Sequence, residues 1–143
     1  MPHQPFCHAF RVPLHDIDAA GVMFYGHLFR HAHDAYERFM GEIGWPLDRL
    51  IRAGDALLPL VHAEADYRVP LRHGEAVTIV LCLSEVGRTS FTLSYRFVGE
   101  DGGLRALART VHVHLLPGGG AAAPLPQDLA ASLGEHLCNP NEP

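Results

Sequence analysis

The hydrophobic positions of this chain change period twice. Phe6–Leu14 reads as a strand and His15–Gly21 as a polar connection. From about Phe24 to Ile43 the apolar residues Leu28, Ala32, Ala35, Phe39 and Ile43 recur at three- and four-residue steps, the spacing of one helical face. Phe29, Tyr36 and Met40 widen that stripe beyond the usual ~100° of a surface helix, so the helix should be largely enclosed. Asp34 and Arg38 sit one turn apart on its polar side. Gly41, Gly44 and Pro46 end it, and Pro46–Ala53 reads as a short second helix.

Beyond this point the period falls to two. Val61, Ala63, Ala65, Tyr67 and Val69 alternate with His62, Glu64, Asp66 and Arg68. Val77, Ile79, Leu81 and Leu83 repeat the pattern, as do Phe91, Leu93, Tyr95 and Phe97, and Leu107, Val111, Val113 and Leu115 complete it. Turn signals at Pro70–Gly74, Glu85–Arg88 and Glu100–Gly103 separate the runs. The order is strand, long helix, then four strands on short links, which favours antiparallel pairing in an α+β layer. Pro117–Pro126 reads as a flexible Gly/Ala/Pro-rich connection, about Gln127–Leu137 as a short helix, and Cys138–Pro143 as a frayed tail.

Composition narrows the class. A chain of 143 residues with 48% hydrophobic content is one domain with a core of its own. No apolar run approaches the ~20 residues of a membrane span, and the N-terminus does not read as a secretory signal. A formal net charge of -5 offers no basic excess for nucleic acid. All 11 basic residues are arginine. The lack of lysine excludes lysine Schiff-base chemistry, a phosphate-loop lysine and pyridoxal-phosphate anchoring. Cys7, Cys82 and Cys138 are too scattered for a disulfide framework or a zinc pattern, which fits a reducing, cytoplasmic setting.

The segment with chemistry in it is His15–Tyr25, HDIDAAGVMFY. Its small residues let backbone approach a ligand, and free N–H groups from Val22 to Tyr25 at a helix start can polarise an oxygen that gains negative charge. Asp18 lies just before them, and a carboxylate beside such a site is what acyl transfer to water requires. The plain alternative makes Asp16 and Asp18 capping or turn aspartates. Elsewhere, Glu37 and Glu42 read as solvated helix charges, and Glu64 and Asp66 as edge or pocket-lining residues. His27 and His31 stand at metal-ligand spacing with His33 nearby, but no third ligand is assigned, so no metal is expected. His112 and His114 read as interfacial or solvent-facing. No serine elbow and no dinucleotide fingerprint is present.

HDIDAAGVMFYGHLFRHAHDAYERF resembles the D-x-D-x-x-G-(V/I)-x-(F/Y/W)-Y signature of the 4-hydroxybenzoyl-CoA thioesterase family. DYRVPLRHGE (Asp66–Glu75) is similar to its Y-x-x-P-x-x-x-G-(D/E) turn, and GRTSF (Gly87–Phe91) to its R-x-S-F strand entry. The resemblance implies a hotdog fold, an antiparallel sheet wrapped around one long central helix, in residues 1–116, with 117–143 as a link, short helix and tail of the same domain. It implies hydrolysis of an acyl-CoA thioester without a cofactor, coenzyme A being part of the substrate. Asp18 then matches the catalytic carboxylate, as nucleophile or as general base on water, and the backbone N–H of Tyr25 matches the carbonyl-polarising donor. Gly21, Val22 and Phe24 fall at the substrate, Asp16 orders the loop, and the ring of Tyr25 is buried. Arg88, Thr89 and Ser90 match the loop that holds the coenzyme A phosphates, with Thr89 standing where the family often has lysine. Phe24, Tyr25 and Phe29 favour an aromatic acyl group, hydroxybenzoyl or dihydroxynaphthoyl. A short- or medium-chain aliphatic ester, a non-catalytic acyl-CoA-binding module and a hotdog dehydratase are the rivals. Relatives of this kind form homo-oligomers, dimers or dimers of dimers, with no nucleic-acid or membrane partner.

Overall fold

The computed structural model describes residues 5–141. Five strands, β1 (Phe6–Arg11), β2 (Leu60–Tyr67), β3 (Ala76–Val86), β4 (Ser90–Gly99) and β5 (Leu104–Val113), form one sheet in the order β1-β3-β4-β5-β2. Every neighbouring pair is antiparallel. Three helices, α1 (His27–Glu42), α2 (Leu47–Ala53) and α3 (Gln127–Gly134), complete the α+β unit. The chain leaves one sheet edge at β1, passes through α1 and α2, and returns at the opposite edge as β2.

The core lies between α1 and one face of the sheet. Leu28, Ala32, Ala35, Tyr36, Phe39 and Met40 of α1 are buried, in the three- and four-residue rhythm of the sequence. They meet Ile79, Leu81 and Leu83 of β3 and Phe91, Leu93, Tyr95 and Phe97 of β4, all buried as the alternation predicts. Burying each such large side chain contributes about 1.5–3 kcal/mol. Leu125, Leu129 and Leu133 bring the link and α3 into the same core.

Five expectations change. First, β5 buries the opposite phase: Ala106, Ala108, Thr110 and His112 face the core with His114 just beyond the strand, while Leu107, Val111 and Val113 are half-exposed. The buried histidines satisfy their Nδ1 atoms on the carbonyls of Leu58 and Pro124, at 3.2 and 2.8 Å. Second, β2 is an exposed edge strand with only Ala65 half-buried, so its alternation marks no buried face. Third, α1 begins at His27, three residues later than the pattern suggests.

Fourth, the link is tied down. Its glycines Gly118, Gly119 and Gly120 all have positive φ (96°, 79° and 103°), a run that only glycine adopts readily. Downstream, Ala123 N–H donates to the His114 carbonyl (2.9 Å) and Leu125 N–H to that of Arg88 (2.9 Å). Fifth, Cys82 and Cys138 form a disulfide, leaving Cys7 as the free, exposed thiol. Past α3 the tail runs along the stretch of β3 that β1 does not reach, where Cys138 N–H donates to the Leu83 carbonyl at 3.0 Å. That pairing brings cysteines 56 residues apart together, and the tail at Cys138 is not frayed. The outermost positions of the N-terminus and tail, residues 1–4 and 142–143, lie outside the described residues. Among the described residues no helix is long and apolar enough to cross a membrane.

Candidate active site

The loop from β1 to α1 is built around a buried charge. After a single 3-10 turn (Leu14–Asp16), the fully buried carboxylate of Asp16 pairs with Arg30 and with His31 Nε2 (2.5 Å), both on the first turns of α1. Phe10 of β1 stacks on the His31 ring at 3.9 Å and 9°. The Asp16 carbonyl also accepts the N–H of Phe24 at 2.9 Å. Asp16 therefore orders the loop, and its position locks strand, loop and helix to each other.

Asp18 is half-buried on the turn that follows. Its backbone N–H donates to the Val22 carbonyl (2.9 Å), its carbonyl accepts from Gly21 (3.0 Å), and its Oδ1 accepts the N–H of Ala20 (2.8 Å). Gly21 closes the turn at φ +82°, which a side chain would strain. One carboxylate oxygen thus does the work of a turn aspartate. The other has no partner among the described residues, and no cation pairs with it.

The amides just before α1 divide into two sets. Met23 N–H is spent on the Leu71 carbonyl (2.8 Å) and Phe24 N–H on Asp16, so these two of the expected donors are engaged. The N–H groups of Val22, Tyr25 and Gly26 have no acceptor among the described residues. The Tyr25 and Gly26 amides lie in the turn that opens into α1, where backbone dipoles favour negative charge. The Tyr25 carbonyl, in turn, accepts the hydroxyl of Tyr67 from the end of β2 at 2.7 Å. The side chain of Tyr25 is 66% exposed and Phe24 42% exposed, their rings in contact at 4.6 Å. The expectation of a buried Tyr25 ring is thereby corrected: Gly26 turns the chain into α1 while the ring stays outside.

Arg88, Thr89 and Ser90 form the β3–β4 turn, with Arg88 exposed and Thr89 and Ser90 half-buried. Three of the loop's backbone carbonyls are spoken for: that of Arg88 by Leu125, that of Thr89 by His114 (2.8 Å) and that of Ser90 by Gly87 (2.8 Å). The Arg88 guanidinium has no partner among the described residues. This turn is not beside Asp18. The register puts Arg11 opposite Ala76 at one end of β3 and Val86 opposite Phe91 at the other. The 11 residues of β3, at about 3.3 Å each, therefore hold the two halves of the expected site roughly 35 Å apart within one chain.

The remaining candidates resolve in place. Glu37 and Glu42 are exposed on α1. Glu64 is exposed, and hydrogen bonds from His62 (3.0 Å) and Arg109 (2.8 Å) hold its carboxyl below the usual range. His31 is engaged by Asp16 while His27 packs against Phe24, and among the described residues no three metal-ligating side chains converge. Contrary to the solvent-facing expectation, His112 and His114 are buried beneath α1 and the link.

Two cavities flank these elements. One of about 320 Å³ lies at the Asp18 end, between Val22, Met23 and Leu28 and the Tyr67–Leu71 stretch. A larger one of about 520 Å³ lies toward the Arg88 end, between α1, α2, the 56–60 loop and β5. The sequence shows neither, because each is lined by residues drawn from segments far apart in the chain.

Comparison with known proteins places this geometry. Residues 12–133 match the thioesterase-like superfamily. The chain is 33% identical over 120 residues to a 1,4-dihydroxy-2-naphthoyl-CoA hydrolase of Rippkaea orientalis, covering 82% of this chain and 87% of that one. A solved 1,4-dihydroxy-2-naphthoyl-CoA thioesterase from Synechocystis superposes with a TM-score of 0.85 at 30% identity, covering 91% of this chain and 96% of that one. A gentisyl-coenzyme A thioesterase superposes at 0.80 with 26% identity, covering 90% and 98%. The chain belongs to the thioesterase-like superfamily and is a thioester hydrolase of hotdog fold.

Proposed function

We propose that the protein hydrolyses the thioester of a hydroxylated aromatic acyl-CoA, with Asp18 as the catalytic carboxylate. The observation that carries this is the pairing of a carboxylate oxygen without a partner and an unspent Tyr25 amide on adjoining turns at the front of α1. The activities named for the relatives above supply the substrate class. The thioester carbonyl accepts the Tyr25 N–H, which stabilises the charge that develops on its oxygen. Asp18 either attacks the carbonyl carbon, expelling coenzyme A as thiolate and leaving an anhydride for water to open, or takes a proton from the attacking water. Gly21, Val22 and Phe24 border the reacting group. Arg88, Thr89 and Ser90 receive the phosphates of coenzyme A, Arg88 as a forked donor. No metal or prosthetic group takes part.

The same reading requires a second copy. Asp18 and Arg88 stand at opposite ends of the sheet, and β2 leaves a free edge with Leu60, Val61 and Tyr67 exposed. Antiparallel joining of two β2 edges sets one copy's Tyr67 end beside the other's Leu60 end, completing two sites per pair. A dimer, or a dimer of dimers, is the working form, with α1 as the helix around which each sheet wraps. Acyl-CoA esters are metabolites of the cell interior, which supports a cytoplasmic setting. The Cys82–Cys138 bond is the feature that argues the other way.

The test is Asp18→Asn, which keeps a turn-forming side chain but removes the charge. We expect kcat on 1,4-dihydroxy-2-naphthoyl-CoA to fall at least ~10²-fold with KM little changed. Turnover near wild type removes Asp18 from the mechanism.

A further inference from the structure

The larger cavity contains a polar atom that nothing in the protein uses. Its wall is mainly apolar and aromatic, with Phe29, Leu50 and Leu58 among the contributors, and its 520 Å³ suits a fused-ring ligand. Tyr36 and His112 also line it. His112 is 4% exposed, and its ring is fixed by stacking on Tyr36 (4.3 Å, 20°) and Phe91 (5.3 Å, 12°). Its Nδ1 lies 3.2 Å from the Leu58 carbonyl, which can only accept, so Nδ1 carries the proton. In that tautomer Nε2 is a lone pair with no partner among the described residues. Burial holds the ring below its ordinary pKa of 6.5, outweighing the opposing pull of the Leu58 carbonyl, and His33 adds to the lowering, which favours the neutral form. The hydroxyl of Thr110, by contrast, is already paired with that of Tyr95 at 2.8 Å.

We propose that His112 is a specificity-determining residue, whose Nε2 accepts a hydrogen bond from a phenolic hydroxyl of the acyl group lodged in this cavity. A bare acceptor in an apolar wall selects for a ligand atom that brings a proton. A phenol brings one, whereas an unsubstituted ring leaves the acceptor desolvated and unpaired. The inference rests on the aromatic thioesterase reading in its paired form, which sets the Leu60 side of this cavity beside the other copy's reacting end, and it adds the group that reads the ring's substituent.

The experiment compares 1,4-dihydroxy-2-naphthoyl-CoA with 2-naphthoyl-CoA on wild type and His112→Phe, a change that keeps a flat ring against Tyr36. Wild type should favour the hydroxylated ester at least about tenfold in kcat/KM. His112→Phe should bring the two esters to within about twofold by losing activity on the hydroxylated one alone. Equal loss on both esters, or an unchanged preference, overturns the assignment. A second measurement needs no variant: the His112 Nε2 nitrogen resonance of the wild-type protein, titrated with the two free acids. A response to the hydroxylated acid and not to 2-naphthoic acid supports the assignment, and the same response to both overturns it. Wild type that turns over neither ester overturns the aromatic-ester reading alone, because acid binding still decides the role of His112.

Discussion

The two ends of the sheet are built by different means. At the Asp18 end a short loop is held by one buried charge, Asp16, and by local turn bonds, and it leaves an amide, a carboxylate oxygen and two aromatic rings outside. At the Arg88 end the loop is held by the link through Leu125 and by His114 at the end of β5, and it adjoins the half of the sheet where the larger cavity lies. On the function proposed above, one end holds the groups that react and the other the groups that recognise. The difference then divides chemistry from selection along the longest strand, and the proposed joining of two copies recombines them.

The strongest way to break this comparison is to block the proposed joining of two copies. Val61 is 59% exposed on the β2 edge. Val61→Arg should lower the sedimentation mass toward the 15.7 kDa of one chain and reduce kcat at least ~10²-fold, with Asp18 and Arg88 both left in place. A monomer with full turnover refutes the shared site.

Asp16→Asn sharpens the chemical end. Replacing a fully buried carboxylate that faces Arg30 and His31 should cost about 2–3 kcal/mol of stability, read by denaturant unfolding. Its effect on kcat at a temperature where the variant is folded should be well below that of Asp18→Asn. A kcat loss equal to that of Asp18→Asn gives Asp16 a part in the reaction itself.

Arg88→Ala probes the recognising end. KM for the CoA ester should rise several-fold and respond less to added salt, with kcat held. Unchanged KM and salt response return Arg88 to a solvated turn residue.

The smallest effect is that of pH on stability. Burial lowers the pKa of His112, and burial followed by the Arg38 charge lowers that of His8, both from 6.5. The unfolded chain takes up protons near that pH while the folded rings refuse them. Stability is therefore full above about pH 6.5 and declines as pH drops below it. The melting temperature should be lower at about pH 5.5 than at about pH 7.5, and the gap should narrow in a His8→Gln/His112→Phe variant.

What could be read in the sequence follows from where each signal is stored. The helical stripe Leu28–Phe39 and the alternations of β3 and β4 are local patterns, and they place the core correctly. In β5 the same rule picks Leu107 and Val111 over Ala106 and His112, because apolarity ranks side chains without knowing which face of the strand is covered. Asp18 was legible as a turn residue before a helix. The ion cluster of Asp16, Arg30 and His31 was not, since it depends on the angle at which the loop meets α1. The Cys82–Cys138 pairing depends on where the tail comes to rest, which no spacing encodes. The cavity with His112 is a tertiary object altogether.

The link from Pro117 to Pro126 is the stretch that looks most open to evolutionary drift, low in complexity and free of charge. Its geometry says the reverse. Three successive glycines in left-handed conformation admit no side chain without a cost of about 1–2 kcal/mol each. A residue inserted after them shifts the register that brings Leu125 to the Arg88 carbonyl. In a lineage of such proteins this plain segment should change more slowly than exposed positions of α1 such as Glu37 and Glu42, and an affinity tag belongs at the N-terminus, away from the stretch that sets the length of the link.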